Sequence, residues 1–358
     1  MSDLHKGEVL MMTAEQDTEG DAQLRERSID YKHDPLGWVE YAFAWGTGEL
    51  EKYSGPDYWQ REVLETIGAK LRSQHEEGSK AIATAIKIAI SAGNGPGKSA
   101  LVSWIILWSL STFVDARGVV TANTDTQLRT KTWAELSKWH RLCLFSHWFN
   151  LTATAIYSKD KDHERTWRID QVPWSLEKTE AFAGLHNKGK RVILIFDEAS
   201  AIPDKIWETA EGALTDKDTE IIWLVSGNPT RNLGRFKECW TKFRHRWQAW
   251  QIDIRKSILV NQEEIKQWIA DLGIDSDWVR VHVLGLFPKA SDLQFISSDL
   301  AEGAKGKGLR PDQYAFAPKI IGVDMAWTGG DEIVIKLRQG LMSRTLQKFA
   351  KNDNDIVI

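Results

Sequence analysis

The stretch that decides the fold is Ile88-Ala89-Ile90-Ser91-Ala92-Gly93-Asn94-Gly95-Pro96-Gly97-Lys98-Ser99. An apolar run short enough to be a buried strand breaks into three glycines, a lysine and a serine. Leu101, Trp104, Ile105 and Trp108 then recur at helical spacing, which places the loop between a strand and a helix. In such a loop successive backbone N–H groups turn inward to cradle phosphates, so bulky side chains must stay away. Gly93, Gly95 and Gly97, interleaved with Asn94 and Pro96 and preceded by Ala92, supply that freedom. Lys98 is expected to contact the β- and γ-phosphates, and the Ser99 hydroxyl to ligate Mg²⁺.

A second apolar run, Arg191-Val192-Ile193-Leu194-Ile195-Phe196-Asp197-Glu198-Ala199-Ser200, ends in two carboxylates. Asp197 suits a Mg²⁺ contact, direct or through water, and Glu198 suits polarisation of an attacking water. A third run ends in Ser226-Gly227-Asn228-Pro229-Thr230, where Ser226 and Asn228 could hydrogen-bond a γ-phosphate and sense its presence. Upstream, Tyr58-Trp59-Gln60 offers an aromatic face and an amide for adenine, although both side chains would serve equally well in packing. Together these motifs predict binding and hydrolysis of ATP with Mg²⁺.

Working outward, strand-like runs fall at residues 83–91, 118–122, 192–196 and 221–226, separated by helical patterns. That alternation predicts an α/β fold, a mostly parallel sheet flanked by helices around a P-loop. Residues 1–30 read as a flexible leader and 31–300 as the ATPase domain. Strand, helix and strand patterns over about 247–300 suggest a lid. A glycine- and lysine-rich stretch over 301–318 reads as a linker, followed by a separate segment over 319–358.

With 358 residues the chain has room for one large domain or two smaller ones. Its formal charge of −4 does not advertise a nucleic-acid binder, though whole-chain charge hides local patches. One such patch is the stretch 231–250, where Arg231, Arg235, Lys237, Lys242, Arg244, His245 and Arg246 alternate with Phe236, Trp240, Phe243 and Trp247. It could grip a phosphate backbone, or be a solvated basic hairpin beside the core. The two cysteines, Cys143 and Cys239, are expected to be reduced thiols. The N-terminus lacks a signal-peptide core, and residues 99–114, the longest uncharged stretch, are too short and too polar to span a membrane. A cytosolic protein is expected. Of the 18 tryptophans, roughly four in five are expected to be packing residues.

These motifs, in this order, resemble the large subunit of tailed-bacteriophage terminases, the DNA-packaging motor. The loop over 92–99, the acidic motif over 195–200 and the turn over 226–230 look like that family's Walker A, Walker B and coupling motifs. Gly55-Pro56 with Trp59-Gln60, Ala183-Gly184-Leu185-His186, and the stretch Val279-Arg280-Val281-His282-Val283-Leu284-Gly285-Leu286-Phe287-Pro288 are further matches. The likeness runs from about Asp34 to the end.

The resemblance implies a RecA-like ATPase domain with a lid, then an RNase H-like nuclease domain opening at Lys319-Ile320-Ile321-Gly322-Val323-Asp324. Asp324 would bind one of that domain's metal ions. No later strand matches the family's other acidic motifs, so the expectation is an incomplete nuclease domain and a chain that does not cut DNA by itself. Implied partners are double-stranded DNA, a homo-oligomeric ring on the portal and the small terminase subunit, in the host bacterial cytoplasm and without a membrane. Two departures stand out. Ala92 takes the place of the usual first glycine, and the loop carries Asn94 and Pro96 with no arginine. Arg129 is the nominated replacement cation, a surface helix position being the alternative. A superfamily-2-like helicase or remodelling ATPase shares the Gln60, Lys98 and Asp197-Glu198 logic, but it needs a second RecA-like domain that the chain after Pro229 does not suggest. A non-catalytic prophage fragment is the third reading.

Overall fold

Four of the strands are buried on both faces along nearly their whole length, and their inner positions are mostly apolar. In the computed structural model, which describes residues 14–75, 84–122, 124, 128–174, 185, 187–212, 214–216, 218–289, 308–324 and 332–350, these are β1 (Ile86–Ala92), β2 (Arg117–Thr121), β6 (Arg191–Phe196) and β7 (Glu220–Gly227). They run parallel in an eight-stranded sheet with β3 (Phe149–Leu151), β4 (Ala155–Ser158), β5 (Arg168–Gln171) and β8 (Gln248–Ile252), in the order β3-β4-β5-β2-β6-β7-β1-β8. Only β3, β4 and β5 pair antiparallel to one another. The expected α/β class with a mostly parallel sheet is what the chain forms.

Alternation along each strand divides the core in two. Ile88, Ile90, Ile193, Ile195, Ile222 and Leu224 face one cluster, and Ala89, Leu194, Phe196, Trp223 and Val225 face the other. The first cluster is centred on α4 (Lys98–Thr112), a helix buried on nearly every side. Around it lie α1 (Ala14–Asp30), α2 (Pro35–Ala42), α3 (Tyr58–His75) and α5 (Ala134–Leu142). Phe43, Trp45, Trp104 and Trp139 meet there, mostly edge to face, with centroids 4.9–6.4 Å apart. On the other face Phe196, Trp207, Trp223 and Trp247 do the same beside α6 (Asp204–Gly212). Among the described residues Trp278 alone of the tryptophans is exposed. Both cysteines are buried free thiols, and burial pushes the Cys143 thiol up to about 12.

Three expectations are corrected. The segment expected to be a flexible leader carries α1. Asp21 accepts from the Trp148 indole at 3.0 Å and meets His147 at 2.6 Å, while Leu24 packs on the core. Residues 1–13 lie outside those described. The region read as a lid from 247 onward begins with β8, which pairs parallel with β1 from Gln248 to Ile252 and belongs to the sheet. Further along, the alternating Val279-Arg280-Val281-His282 reads as a strand but forms α8 (Asp277–His282). The Ser276 hydroxyl caps it by accepting from the Val279 N–H, and Val279 and Val283 share one buried face. With α7 (Gln262–Leu272), α8 builds a small core of Ile254, Ile265, Val279, Val283 and Leu284.

The chain divides into two compact units, Met1–Gln294 and Phe295–Ile358. In the second, β9 (Lys319–Asp324), β10 (Glu332–Gln339) and β11 (Met342–Ala350) form an antiparallel sheet in the order β11-β10-β9. The first part of the expected linker, residues 301–307, lies outside those described. No described helix is long and apolar enough to cross a membrane.

At the N-terminal end of the sheet a buried ion pair ties three elements together. Arg191, fully buried, donates to Glu220 Oε2 through Nε at 2.8 Å and lies 4.1 Å from the Trp108 ring centroid. Its remaining nitrogens donate to Thr112 Oγ1 and the Lys32 carbonyl. Burial opposes ionisation of Glu220, but the hydrogen bond from His33 and the Arg191 guanidinium overcome it and hold the carboxyl at about 2. Because that value lies below the ordinary 4.5, the contribution is complete above pH 4.5 and is lost as pH falls toward 2. Glu220→Gln is therefore expected to flatten the stability curve between those values. Arg191→Leu is expected to cost about 3–5 kcal/mol at neutral pH. Urea unfolding across pH checks both.

Gly285 marks where the chain returns beneath the phosphate loop. Its φ is +63°, and a Cβ there would lie 2.7 Å from the Ile252 carbonyl oxygen and 3.0 Å from Ala92 Cα. Ser91 Oγ donates to the Gly285 carbonyl. Gly285→Ala must displace backbone, and a loss of about 2 kcal/mol or more is expected in thermal unfolding. An unchanged midpoint would show that this segment does not pack as described.

Candidate functional site

Lys98, Asp197, Glu198, Ser226 and Asn228 come from three motifs far apart in sequence. The order β6-β7-β1 sets the carboxyl ends of their strands side by side. In an open parallel sheet this is the edge where ligands bind.

The phosphate loop leaves β1 at Ala92 and enters α4 at Lys98, with Gly95 at φ +75° and Gly97 at φ +89°. At Gly93 a Cβ would sit 2.5 Å from the His282 carbonyl oxygen. At Gly97 it would meet Gln60 Nε2 at 2.7 Å and Leu259 Cδ1 at 2.8 Å. The Gly93 N–H donates to the Ile252 carbonyl at 3.3 Å and the Asn94 N–H to the His282 carbonyl at 2.8 Å. Those two N–H groups are thus occupied, whereas the N–H groups at the start of a helix have no partner within the helix and could face an anion.

Lys98 Nζ donates to the Gly93 carbonyl at 3.0 Å and to Asn228 Oδ1 at 3.2 Å. The Asn228 amide nitrogen donates to the Ala92 carbonyl and to Asn94 Oδ1, both at 2.9 Å. Asn228 thus reads both the loop backbone and the lysine. Burial pulls the Lys98 pKa down, while Glu198 and Asp197 attract the charged form.

Asp197 is locked. Its Oδ1 accepts from the Glu198 N–H at 3.0 Å and from Ser226 Oγ at 3.2 Å, and its Oδ2 from Thr132 Oγ1 at 2.6 Å. Glu198 follows in left-handed backbone, φ +50°, a conformation uncommon for residues other than glycine and often found at functional sites. Burial raises its pKa, opposed by Lys98. Ser200 Oγ and Thr230 Oγ1, 2.7 Å apart, join the two loops below.

Trp59 and Gln60 brace the loop from behind. Trp59 is fully buried and its indole N–H donates to the Pro96 carbonyl at 3.2 Å. Gln60 Nε2 donates to the Gly97 carbonyl at 2.9 Å, and its Oε1 accepts from the Asp57 N–H at 2.8 Å. With these contacts made, neither presents the open face that an adenine platform needs.

Arg129 lies in a π-helical turn, Leu128–Trp133, and lines a cavity with Trp133, Ala134, Ser137 and Thr152. The same turn brings Lys131 and Thr132 to the site. Lys131 acts electrostatically on both Lys98 and Glu198. His282 Nδ1 lies 3.3 Å from Asn94 Oδ1, and its pKa is lowered by burial and by Lys98. No signal in the sequence marked Lys131 or Thr132, because helical periodicity assumes 3.6 residues per turn and a π turn shifts the facing residues.

Much of the basic stretch is internally paired. Arg235 meets Glu211 at 2.9 Å, Arg246 meets Glu211 at 3.5 Å, and Lys242 meets Glu238 at 4.0 Å. Phe236 and Trp247 are core residues, whereas Arg231, Arg244 and His245 are exposed. Ala183, Gly184 and His186 lie outside the described residues. Asp324 ends β9 and is exposed, and among the described residues it joins no three-ligand cluster.

No family model matches the chain. It is 27% identical over 297 residues to a probable terminase large subunit of Enterobacteria phage P7, covering 79% of this chain and 54% of that protein. The chain therefore spans about half the length of the curated relative it matches. Among solved structures it is similar to the large terminase from a thermophilic bacteriophage in complex with ADP. The TM-score is 0.45 at 12% identity, over 78% of this chain and 67% of that one. It is also similar to the ATPase domain of a Thermus phage large terminase, with a TM-score of 0.42 at 16% identity, over 61% and 92% of the two chains. The likeness to phage large terminases that the ordered motifs carry is thus matched by a sequence relative over most of this chain.

Proposed function

We propose that this chain is the ATP-hydrolysing motor subunit of a phage terminase, using ATP to drive double-stranded DNA into a viral capsid. The observation that carries this reading is the convergence of Lys98, Asp197, Glu198 and Asn228 at adjacent strand ends. The relative in phage P7 supports the packaging context.

Each residue then has a role. The start of α4 and Lys98 bind and orient the phosphates, Lys98 exchanging its bonds to Gly93 and Asn228 for phosphate oxygens. Ser99 and Asp197 are oxygen donors of the kind Mg²⁺ prefers. Three bonds reach the Asp197 carboxylate, which can accept about four, so one position remains for a metal-bound water. When bound between Ser99 and Asp197, Mg²⁺ would offset the negative charge of the phosphates. Glu198, held apart from Asp197 by its left-handed backbone, polarises the attacking water. Asn228, released by Lys98, is placed to respond to the γ-phosphate. Lys131 supplies the further cation that the loop itself lacks. Arg231, Arg244 and His245, exposed and outside the ion pairs of the described residues, are the basic groups of that stretch offered to DNA. A homo-oligomeric ring on the portal, the small subunit and an RNase H-like start at β9 complete the proposal.

Glu198→Gln is expected to lower kcat for ATP about 10²–10⁴-fold while leaving nucleotide affinity near wild type. Steady-state hydrolysis with and without duplex DNA, beside nucleotide binding, checks this, and hydrolysis at the wild-type rate would remove Glu198 from the role. Lys131→Ala should slow hydrolysis about 10²-fold or more, with Arg129→Ala much milder. The reverse order would restore Arg129 as the cation.

A further inference from the structure

At the end of the sheet away from the phosphate loop, three ligating side chains from distant parts of the chain converge. His33 precedes α2, His75 ends α3 and Glu220 begins β7. His33 Nε2 lies 3.0 Å and His75 Nε2 2.9 Å from the same Glu220 oxygen, Oε1. The two imidazoles stack, with centroids 4.3 Å apart and planes 17° apart, and both present Nε2 to Oε1; binding one ion in the plane of each ring requires the two rings to tilt apart. Among the described residues this is the one group of three His, Cys, Asp or Glu whose ligand atoms all lie within 4.8 Å of one another.

We propose that His33 Nε2, His75 Nε2 and Glu220 Oε1 form a mononuclear site for a first-row transition ion of the zinc class. Donor atoms about 2.0–2.2 Å from one such ion stand about 3–3.5 Å from each other; each histidine nitrogen already lies 2.9–3.0 Å from Oε1, and all three atoms lie within 4.8 Å of one another. The carboxylate is prepared for the task. Arg191 holds Oε2, is itself fixed by Trp108, Thr112 and the Lys32 carbonyl, and so turns Oε1 toward the two rings. Outer partners of this kind orient ligating carboxylates in protein metal sites.

Access and selectivity follow from the surroundings. Glu220 is buried, whereas His75 is 46% exposed, and both line a cavity of about 1190 Å³ that also holds Lys87, Asp216 and Arg246. Water can therefore reach a fourth coordination position. Two imidazoles favour zinc, copper, nickel or cobalt over Mg²⁺, which prefers oxygen donors, so nucleotide-bound magnesium would not compete. Binding uses both Nε2 lone pairs, which places the remaining ring hydrogen of each ligand on Nδ1. The metal would clamp the segment before α2 and the end of α3 to the sheet, independently of the nucleotide site.

The test is calorimetric titration of Zn²⁺ into the untagged, chelator-stripped chain in millimolar Mg²⁺, beside His33→Ala, His75→Ala and Lys98→Ala. One zinc per chain is expected, unchanged in Lys98→Ala and weakened about 100-fold in either histidine variant. His75→Gln, a milder change at an exposed helix end, serves if an alanine variant fails to fold. X-ray absorption at the zinc edge should show only nitrogen and oxygen near 2.0 Å. No zinc binding by the wild type, equal binding in the histidine variants, or sulfur at about 2.3 Å would overturn the site.

Discussion

A strand buried on both faces has no polar outlet except at its ends. In β1, β6 and β7 most side chains between the ends are given to one or other of the two cores. The polar chemistry of the chain is pushed to the two rims of the sheet. At the carboxyl rim lie Lys98, Asp197, Glu198 and Asn228; at the amino rim lie Arg191, Glu220 and the two histidines. The two rims are solved differently. The carboxyl rim keeps cationic and anionic groups near each other, with Lys98 on temporary partners. The amino rim neutralises Glu220 with a buried guanidinium and leaves one oxygen directed outward.

Placing β7 between β1 and β6 is what allows Asn228 to mediate. A direct pairing of β1 with β6 would set Lys98 beside Asp197 and leave no side chain between them. With β7 inserted, the Asn228 amide spans Ala92, Asn94 and Lys98, while Ser226 on the same strand fixes Asp197. One strand end touches both the phosphate loop and the acidic motif, so a change at either is felt by the other.

The four inner strands and the loop between β1 and α4 are legible in the sequence, because continuous apolar runs and the Gly93–Gly97 spacing leave few alternatives. What is illegible has physical causes. β3, β4 and β5 are three or four residues long and carry too few positions for periodicity. Lys131 and Thr132 lie in a π turn, whose spacing a 3.6-residue period does not anticipate. Val279-Arg280-Val281-His282 alternates like a strand, yet the Ser276 cap and the i, i+4 pair Val279–Val283 decide for a helix. Trp59 and Gln60 are two residues whose types suit a ligand as well as a backbone, and only their hydrogen bonds to Pro96 and Gly97 show which they hold here.

The bonds from Gly93 and Asn94 have a mechanical meaning. Ile252 and His282 bracket the helical pair α7–α8, and their carbonyls are held by two consecutive N–H groups of the phosphate loop. Both ends of the pair are therefore anchored within one residue of each other. Between them the insert has a second tie, the buried bond from Ser257 Oγ to Asp57 Oδ2 at 2.5 Å, which fixes it to the turn before α3. A shift of the loop at Gly93 and Asn94 is therefore felt at both ends of the helical pair together, while Ser257 stays tied to Asp57.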